Sequence, residues 1–515
     1  MQSQISYAED IVFEWIPYIQ FDNIKEVTKI EKGFITFTTE YSAIWKDGPL
    51  YYESNNQKFK RALNQNVILK YLYSSQNIID EFLNEVKEYS ITRGYKDFFS
   101  DKTNETKKFI YGISQNPDTK DYIMVLHCKM HCEKCHKNIN IYEGCKSCLI
   151  DSLKENFTNW TSGNKIIDNV IQEMQLKTSD KLVEWIPYNQ FDNIKTIGKG
   201  GFSTVYSAIW KDGPLYYNSI EQKFIRISDE NVALKCLDNS QNITYEFLKE
   251  IKGYSIVKQN NIIKIYGISQ NPDTKNYIIV LQHAEGGNFS NWVNMNYKDF
   301  NWKNKIKVLG DIIEGLKEIH EKQMVHRDFH TGNILFNKAS AYISDMGLCG
   351  KVEKIDKTSE TKIYGVMPYV APEVLKKKPY TQAADIYSFG MIMYFIATGK
   401  QPFANHEHNH ILVLNICGGI RPEINESELP KCYINLMKRC WDSNPDNRPN
   451  TIEIKKEIEL FYNSYKNDDD NIKKQFEEAE KFKEENALIT THLQATYTSQ
   501  LLNPFTEDFS ITEWL

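Results

Sequence analysis

No stretch of this chain is long and apolar enough to span a bilayer. Its most apolar helical pattern, around Ile386 to Thr398, falls short of the roughly 20 residues a crossing needs. The start also lacks a basic stretch followed by an apolar run. Glu9, Asp10 and Glu14 stand there instead, so no secretory signal is read, and a cytoplasmic chain without membrane partners is expected. Charge of one sign is scarce as well. With 62 Lys and Arg against 68 Asp and Glu, the formal net charge is −6 over 515 residues, which gives no electrostatic reason to expect nucleic acid as the main partner. The 41 % apolar content can fill the cores of about three domains.

Cysteine is sparse, with 10 in the chain, yet four are clustered in Cys132-Glu133-Lys134-Cys135 and Cys145-Lys146-Ser147-Cys148. Paired Cys-x-x-Cys units at this separation suit a small tetrahedral zinc site, and in a reducing compartment metal explains them better than disulfides. Free thiols are the alternative, and Cys128, His131 and His136 are substitute ligands. Four thiolates leave no open coordination position, so the expected Zn²⁺ is structural. Aromatic and basic residues are not interleaved here as RNA binding by a zinc knuckle would need.

A different chemistry is spelled out farther on. In Ile197-Gly198-Lys199-Gly200-Gly201-Phe202-Ser203-Thr204-Val205-Tyr206, glycines let backbone approach phosphates closely, although this pattern alone serves equally as a dinucleotide fingerprint or a chance turn. Val232-Ala233-Leu234-Lys235 then ends an apolar strand on a lysine, and Glu250 on the following helical pattern can hold that ammonium in place; an ordinary surface salt bridge is the competing reading. His326-Arg327-Asp328-Phe329-His330-Thr331-Gly332-Asn333 sets a carboxylate five residues before an amide, where Asp328 can accept a hydroxyl proton and Asn333 can hold Mg²⁺. Ile343-Ser344-Asp345-Met346-Gly347 adds a second metal-binding carboxylate at the end of an apolar strand.

In this order the motifs resemble the eukaryotic protein kinase family, closest to its tyrosine-kinase-like branch and to an expanded fungal group within it that carries a short cysteine module before the kinase. The resemblance covers roughly Phe191 to Tyr462 and implies an α+β, bilobal fold with an antiparallel-sheet N-lobe and a helical C-lobe. It implies ATP and Mg²⁺ as cofactors and protein hydroxyls as substrates. Lys235, Glu250 and Asp328 take the catalytic roles, and Asn333 and Asp345 hold Mg²⁺. Ile197, Gly198, Lys199, Gly200, Gly201, Val205, Ala233 and Lys235 line the ATP site, with Leu281 behind the adenine and Gln282, His283 and Ala284 as its hinge. Ala371-Pro372-Glu373, Arg448 and Asp385 match the family's structural positions.

The departures are Ser203 for a third glycine, Met346 for phenylalanine, and the pair His330 and Val366 where serine/threonine kinases carry a lysine and a threonine. Methionine can keep the packing role. The last two look like one coupled change. The tryptophan pattern of tyrosine kinases is absent before Ala371, so Ser/Thr specificity is favoured, with tyrosine or dual specificity open. Thr358, Ser359, Thr361 and Tyr364 are candidate phosphorylation sites that Arg327 can engage. A pseudokinase scaffold binding ATP or partners without turnover is the alternative, and an adaptor built on the cysteine module is a third reading.

The chain also repeats itself. Glu14-Trp15-Ile16-Pro17-Tyr18 recurs as Glu184 to Tyr188, Tyr41 to Tyr52 as Tyr206 to Tyr217, and Tyr111 to Ser114 as Tyr266 to Ser269. Lys70 and Glu85 copy the lysine and helix glutamate, but Ile30-Glu31-Lys32-Gly33-Phe34-Ile35-Thr36-Phe37 has lost the glycine loop and no catalytic loop follows. The expected organisation is a degenerate duplicate N-lobe (12–127), a zinc knuckle (128–149), a helical linker (150–183), the kinase domain (190–462) and a charged helical tail (463–515). A lobe without its mate leaves an apolar face, so the duplicate is expected to dock within the chain or on a partner protein, or to stay marginal; a recent duplication or an imperfect gene model without function is the competing reading. An amphipathic connector is read from Ile166, Ile167, Val170, Ile171 and Met174. The tail helix with Ile472, Phe476, Ala479 and Phe482 is left open between an interaction helix and a solvated one.

Overall fold

The computed structural model describes residues 13–32, 36–53, 58–73, 110–127, 130–131, 138–139, 150–151, 153–154, 157, 160–177, 182–199, 203–218, 223–237, 240–241, 244–256, 261–296, 300–337, 339–351, 362–465, 471–482 and 494–506. The chain divides into two compact units, Met1–Leu149 and Ile150–Leu515.

In the first unit, strands β1 (Glu14–Trp15), β2 (Phe21–Lys32), β3 (Thr36–Trp45), β6 (Gln65–Tyr73), β7 (Ile110–Gln115) and β8 (Tyr122–His127) form one sheet in the order β1-β7-β8-β6-β3-β2, while β4 (Leu50–Glu53) pairs with β5 (Lys58–Arg61). Trp45, Val67, Leu69, Ile123 and Val125 fill its core. Glu85, Gly33, Phe34, Ile35 and the four knuckle cysteines, Cys132, Cys135, Cys145 and Cys148, lie outside the described residues.

The second unit opens with α1 (Lys165–Lys177), then β9 (Glu184–Trp185), β10 (Phe191–Lys199), β11 (Ser203–Trp210), β12 (Leu215–Asn218), β13 (Lys223–Arg226), β14 (Glu230–Leu237), α2 (Tyr245–Ile256), β15 (Ile265–Gln270) and β16 (Tyr277–Gln282). Its six-stranded sheet runs β9-β15-β16-β14-β11-β10, the same order as the first. Alternation along β14 sends Val232 and Leu234 into a small core with Trp210, and turns Ala233 to the opposite face, into the main core with α2. Ile167, Val170, Ile171 and Met174 of α1 join that main core, but Ile166, expected on the same face, is half exposed. Its place at the edge of the apolar stripe turns it to solvent.

The helical lobe follows as α3 (Phe289–Asn296), α4 (Trp302–Glu321), β17 (Ile334–Asn337), β18 (Ser340–Ile343), β19 (Tyr364–Gly365), α5 (Pro372–Leu375), α6 (Gln382–Thr398), α7 (His410–Cys417), α8 (Lys431–Cys440), α9 (Thr451–Ser464) and α10 (Asn471–Glu480). Helix α6 is buried along nearly its whole length, as an all-apolar pattern requires. Asn450 caps α9 with a full capping box to Glu453.

The boundary expected at Tyr462 does not separate the tail from this lobe. Phe476 of α10 is fully buried, with its ring 5.5 Å from Trp302 and 5.6 Å from Phe461. Trp302 N donates to Glu480 Oε2 at 2.8 Å and Cys432 N to Gln475 Oε1 at 2.9 Å. Helix α10 therefore belongs to the core, and only Phe482 of its named apolar residues is largely exposed. Beyond it, β20 (Gln500–Leu501) pairs with β19.

Candidate active site

Strand register assembles the upper wall of the cleft. Val205 lies opposite Gly198 on one side and Lys235 on the other, and Ala233 lies opposite Leu281. A Cβ on Gly198 would meet only the Val205 side chain, 3.9 Å away, so this glycine leaves the face above the strand open. Ile197 is half exposed, Leu281 is buried, and Gln282, His283 and Ala284 are half-buried after the strand ends. Burial holds the His283 imidazole below its usual value against the opposing charge of Glu285, which keeps it neutral at pH 7. Lys199 ends β10; Gly200 and Gly201 lie outside the described residues.

Helix α2 delivers Glu250 to Lys235, with Nζ 2.7 Å from Oε1, and the same ammonium is 3.1 Å from Asp345 Oδ1. Lys235 and Glu250 are buried, which rules out an ordinary surface bridge, whereas Asp345 keeps 41 % of its side-chain surface open. Burial works against the Lys235 charge, but Asp345 and Glu250 outweigh it and raise the lysine above its usual value. Glu250 is itself pushed up by burial despite Lys235, while at Asp345 the nearby ammonium overcomes desolvation and keeps the carboxyl below the usual range.

Gly253 is a determinant that the sequence reading missed. A Cβ there would lie 2.8 Å from Met346 Cβ and 3.0 Å from Met346 O, so only glycine lets α2 approach this close to the segment carrying Asp345. The one available signal was a glycine inside a helical pattern, which costs about 1 kcal/mol against alanine and so implies a packing reason. Met346 is fully buried, so it takes the packing role that the resemblance assigned to this position.

The loop after α4 is held from below by Asp385. Its carboxylate accepts from His326 N at 2.8 Å and Arg327 N at 3.1 Å, and meets His320 Nε2 at 2.9 Å. These bonds fix Arg327 in a left-handed conformation, φ 72°, so that Asp328 turns into the cleft. Asn333 Nδ2 donates to Asp328 O at 2.9 Å and Oδ2 at 3.2 Å, which brings together the two residues predicted from their spacing. The Ile334↔Ile343 pairing sets Ser344 beside Asn333, with Ser344 N donating to Asn333 O at 2.8 Å, so Asp345 follows directly.

His330 Nε2 stands 3.5 Å from Asp328 Oδ1, too long for a strong hydrogen bond but close enough to act on its charge, while Nδ1 accepts from Gly332 N at 3.1 Å. Val366 is buried beside this loop. The coupled change at these positions therefore keeps a nitrogen near the carboxylate and loses only the hydroxyl. At Asp328, burial raises the carboxyl, but the His330 imidazole, with His326 and the nearby Ser499 hydroxyl, holds it below the usual range. Of the candidate phosphorylation sites, Tyr364 lies in β19, and Thr358, Ser359 and Thr361 fall outside the described residues.

Glu373 and Arg448 form a buried two-pronged ion pair at 2.7 and 2.8 Å, tying α5 to the segment before α9. Among the described residues no cluster of three or more His, Cys, Asp or Glu forms a metal site, and no helix is long and apolar enough to cross a membrane.

Comparison with known proteins agrees with this geometry. The family described as protein tyrosine and serine/threonine kinase matches residues 191–458. The mitogen-activated protein kinase kinase kinase nsy-1 of Caenorhabditis elegans is 27 % identical over 379 residues, which cover 71 % of this chain and 22 % of that protein. A putative serine/threonine-protein kinase/receptor of Acanthamoeba polyphaga mimivirus is 30 % identical over 321 residues, 60 % of this chain and 18 % of its own. A probable serine/threonine-protein kinase of Dictyostelium discoideum is 26 % identical over 284 residues, 53 % and 20 % respectively. The matched stretch thus amounts to about a fifth of each relative's length. With its family match spanning more than half of the sequence, and its lysine, glutamate and two aspartates gathered in one cleft, the chain belongs to the protein tyrosine and serine/threonine kinase family.

Proposed function

We propose that residues 190–462 transfer the γ-phosphoryl of ATP to protein hydroxyls, serine and threonine before tyrosine. The observation that carries this reading is the buried Lys235–Glu250 pair bridged to Asp345, with Asp328 and Asn333 hydrogen-bonded beside it. A scaffold without turnover would not need all five groups. The relatives' printed names as serine/threonine-protein kinases support the choice of hydroxyl.

Val205, Ala233 and Leu281 present apolar surface to a base, and the Gln282–Ala284 backbone follows at its edge. Lys235, kept protonated by two carboxylates, supplies a cation to the ATP phosphates. Asp328, held ionised, accepts the proton of an incoming hydroxyl. Asn333 turns its Nδ2 to Asp328, which leaves its amide oxygen to join the Asp345 carboxylate. These are hard oxygen donors, and one or two of them beside substrate phosphates fit Mg²⁺. When bound, Mg²⁺ neutralises phosphate charge.

The first unit is read as a degenerate N-lobe that serves docking, and Cys132, Cys135, Cys145 and Cys148 as ligands of a structural Zn²⁺. The tyrosine-kinase-like branch, its fungal group with a cysteine module, and a cytoplasmic location belong to the same proposal; the motif order and Cys-x-x-Cys spacing support them. Transfer from labelled ATP to the protein itself and to a generic protein substrate tests the activity. Asp328→Asn and Lys235→Met are each expected to lower it on the order of a hundredfold or more, with phosphoserine and phosphothreonine in the wild-type product. Wild-type transfer no greater than that of the variants, under conditions where ATP binds, refutes the transferase reading. Metal analysis of the purified chain giving no zinc refutes the knuckle.

A further inference from the structure

After α10 the chain returns to the cleft. Strand β20 pairs antiparallel with β19, Leu501 opposite Tyr364 and Gln500 opposite Gly365. Leu502 N donates to Ile363 O at 2.8 Å, Ile363 N donates to Asn503 Oδ1 at 2.7 Å, and the Leu502 side chain is fully buried. On the other side of this segment, Tyr497 OH donates to Pro402 O at 2.9 Å, its ring stands edge-on to His408 at 4.9 Å, and Thr496 N donates to His408 Nδ1 at 3.0 Å. The stretch between these anchors is Thr498, Ser499 and Gln500.

The anchors suspend that stretch over the catalytic loop. Gly365, opposite Gln500, has φ 145°, and a Cβ there would lie 2.9 Å from Val370 Cγ2 and 3.6 Å from Asp328 Oδ1. The strand carrying Gly365 thus runs directly past the catalytic carboxylate, without a side chain between. The Ser499 hydroxyl, one residue before Gln500 in the same segment, comes close enough to Asp328 to help keep that carboxyl below the usual range. Pairing an extended segment to a short exposed strand is also a general way to hold a peptide, since backbone bonds fix register while single side chains enter pockets. A strap needed only for stability has no use for a hydroxyl at this carboxylate.

We propose that residues Thr496–Phe505 occupy the acceptor groove as an intramolecular substrate, and that Ser499 is an autophosphorylation site. This rests on the transferase reading above. In the step, Ser499 Oγ forms a bond to the γ-phosphorus of ATP, the bond from that phosphorus to the β–γ bridging oxygen breaks, ADP leaves, and the Oγ proton passes to Asp328. The product places a phosphate of charge about −1.5 to −2 beside the Asp328 carboxylate, and that repulsion expels the strand. Transfer in cis therefore opens the groove to other protein substrates.

The test uses the full chain, stripped of phosphate and given Mg²⁺ and ATP, with phosphosites mapped by mass spectrometry and a generic protein substrate followed in parallel. Ser499 is expected to gain phosphate at a rate per molecule that does not change on dilution, and Ser499→Ala to lack that phosphate. Leu502→Asp removes a fully buried anchor, so it is expected to slow labelling of Ser499 by about tenfold or more while phosphorylating the added protein without a lag. Asp328-dependent transfer to the added protein with no phosphate at Ser499 overturns the proposal and leaves the kinase standing, as does labelling of Ser499 whose rate rises with enzyme concentration. Absence of transfer to either target, by wild type and Leu502→Asp alike, overturns both.

Discussion

Replacing Arg448 by methionine should cost far more than replacing Glu373 by glutamine, although both break the same ion pair. The Arg448 side chain is wholly buried. Besides its two bonds to Glu373 it donates to Ala383 O at 2.8 Å and Asp442 O at 2.9 Å, and its guanidinium lies 5.3 Å from the Tyr387 ring centre. Arg448→Met removes all of these and strands the Glu373 carboxylate in the interior. Removing one partner of a buried pair typically costs about 3–5 kcal/mol. Glu373→Gln leaves the guanidinium with both carbonyls, the ring and one amide oxygen, so the loss should approach that of a charged hydrogen bond, about 1.5–3 kcal/mol. Thermal melts of the full chain read the difference: at about 2–4 °C per kcal/mol, the methionine variant should melt roughly 6–20 °C lower and the glutamine variant about half as far. Equal losses, or a larger one for Glu373→Gln, would show that the two carbonyls and the ring do not hold the arginine, and the reasoning would fail.

Gly253→Ala gains about 1 kcal/mol of helix propensity but meets Met346 at 2.8 Å, an overpacking cost of about 1–3 kcal/mol, so the melt should move little. Displacing α2 shifts Glu250 from Lys235, however, and kcat/KM for ATP should fall by up to about a hundredfold. His330→Leu removes the imidazole that lowers the Asp328 carboxyl and leaves the burial that raises it, so the acid limb of the rate profile should move to higher pH than in wild type; an unmoved limb would remove His330 from the site. Ile171→Ala empties space in the core that α1 shares with α2, costing about 2–5 kcal/mol by urea unfolding if α1 is part of the domain, and almost nothing if it is a loose connector.

The chemistry was legible where it fixes spacing along the chain. Asp328 and Asn333 must share one loop and Lys235 must end a strand, so residue types at set intervals were enough to name them. Helical periodicity likewise found the buried face of α1, and it erred only at Ile166, on the edge of the stripe. Contacts between distant segments left no such trace. Phe476 and Ala479 make a narrow stripe in a charged helix, and nothing local announces that Trp302 and Phe461 wait to cover it. Strand β20 is two residues long in a polar stretch, and its partner β19 lies far earlier in the chain. For His330 the position was readable and the contact with Asp328 was not, because a departure from a pattern does not say where the new side chain points.

The repeated sheet separates what builds such a lobe from what makes it react. Gly48 and Gly213 share a φ of 63° and 64°, and a Cβ on either would lie within 2 Å of a facing carbonyl oxygen, so both turns need glycine. A Cβ on Gly112 or Gly267 would lie 2.0 or 2.3 Å from the carbonyl oxygen of Glu14 or Glu184, and each glutamate holds an arginine, Arg61 at 2.6 Å and Arg226 at 2.5 Å. Trp45 packs on Tyr111 as Trp210 does on Tyr266. These shared features build the same six-stranded sheet and say nothing of phosphate. The difference lies on the strand facing the lysine: Lys235 stands opposite Val205, but Lys70 stands opposite Glu40. Directly paired side chains on neighbouring strands have Cβ atoms about 4.5–5.5 Å apart, so a carboxylate at Glu40 occupies the wall where a base needs apolar contact and where phosphates would meet like charge. The first sheet retains the residues that fold it, keeps the lysine as Lys70, and sets Glu40 where the second sheet sets Val205.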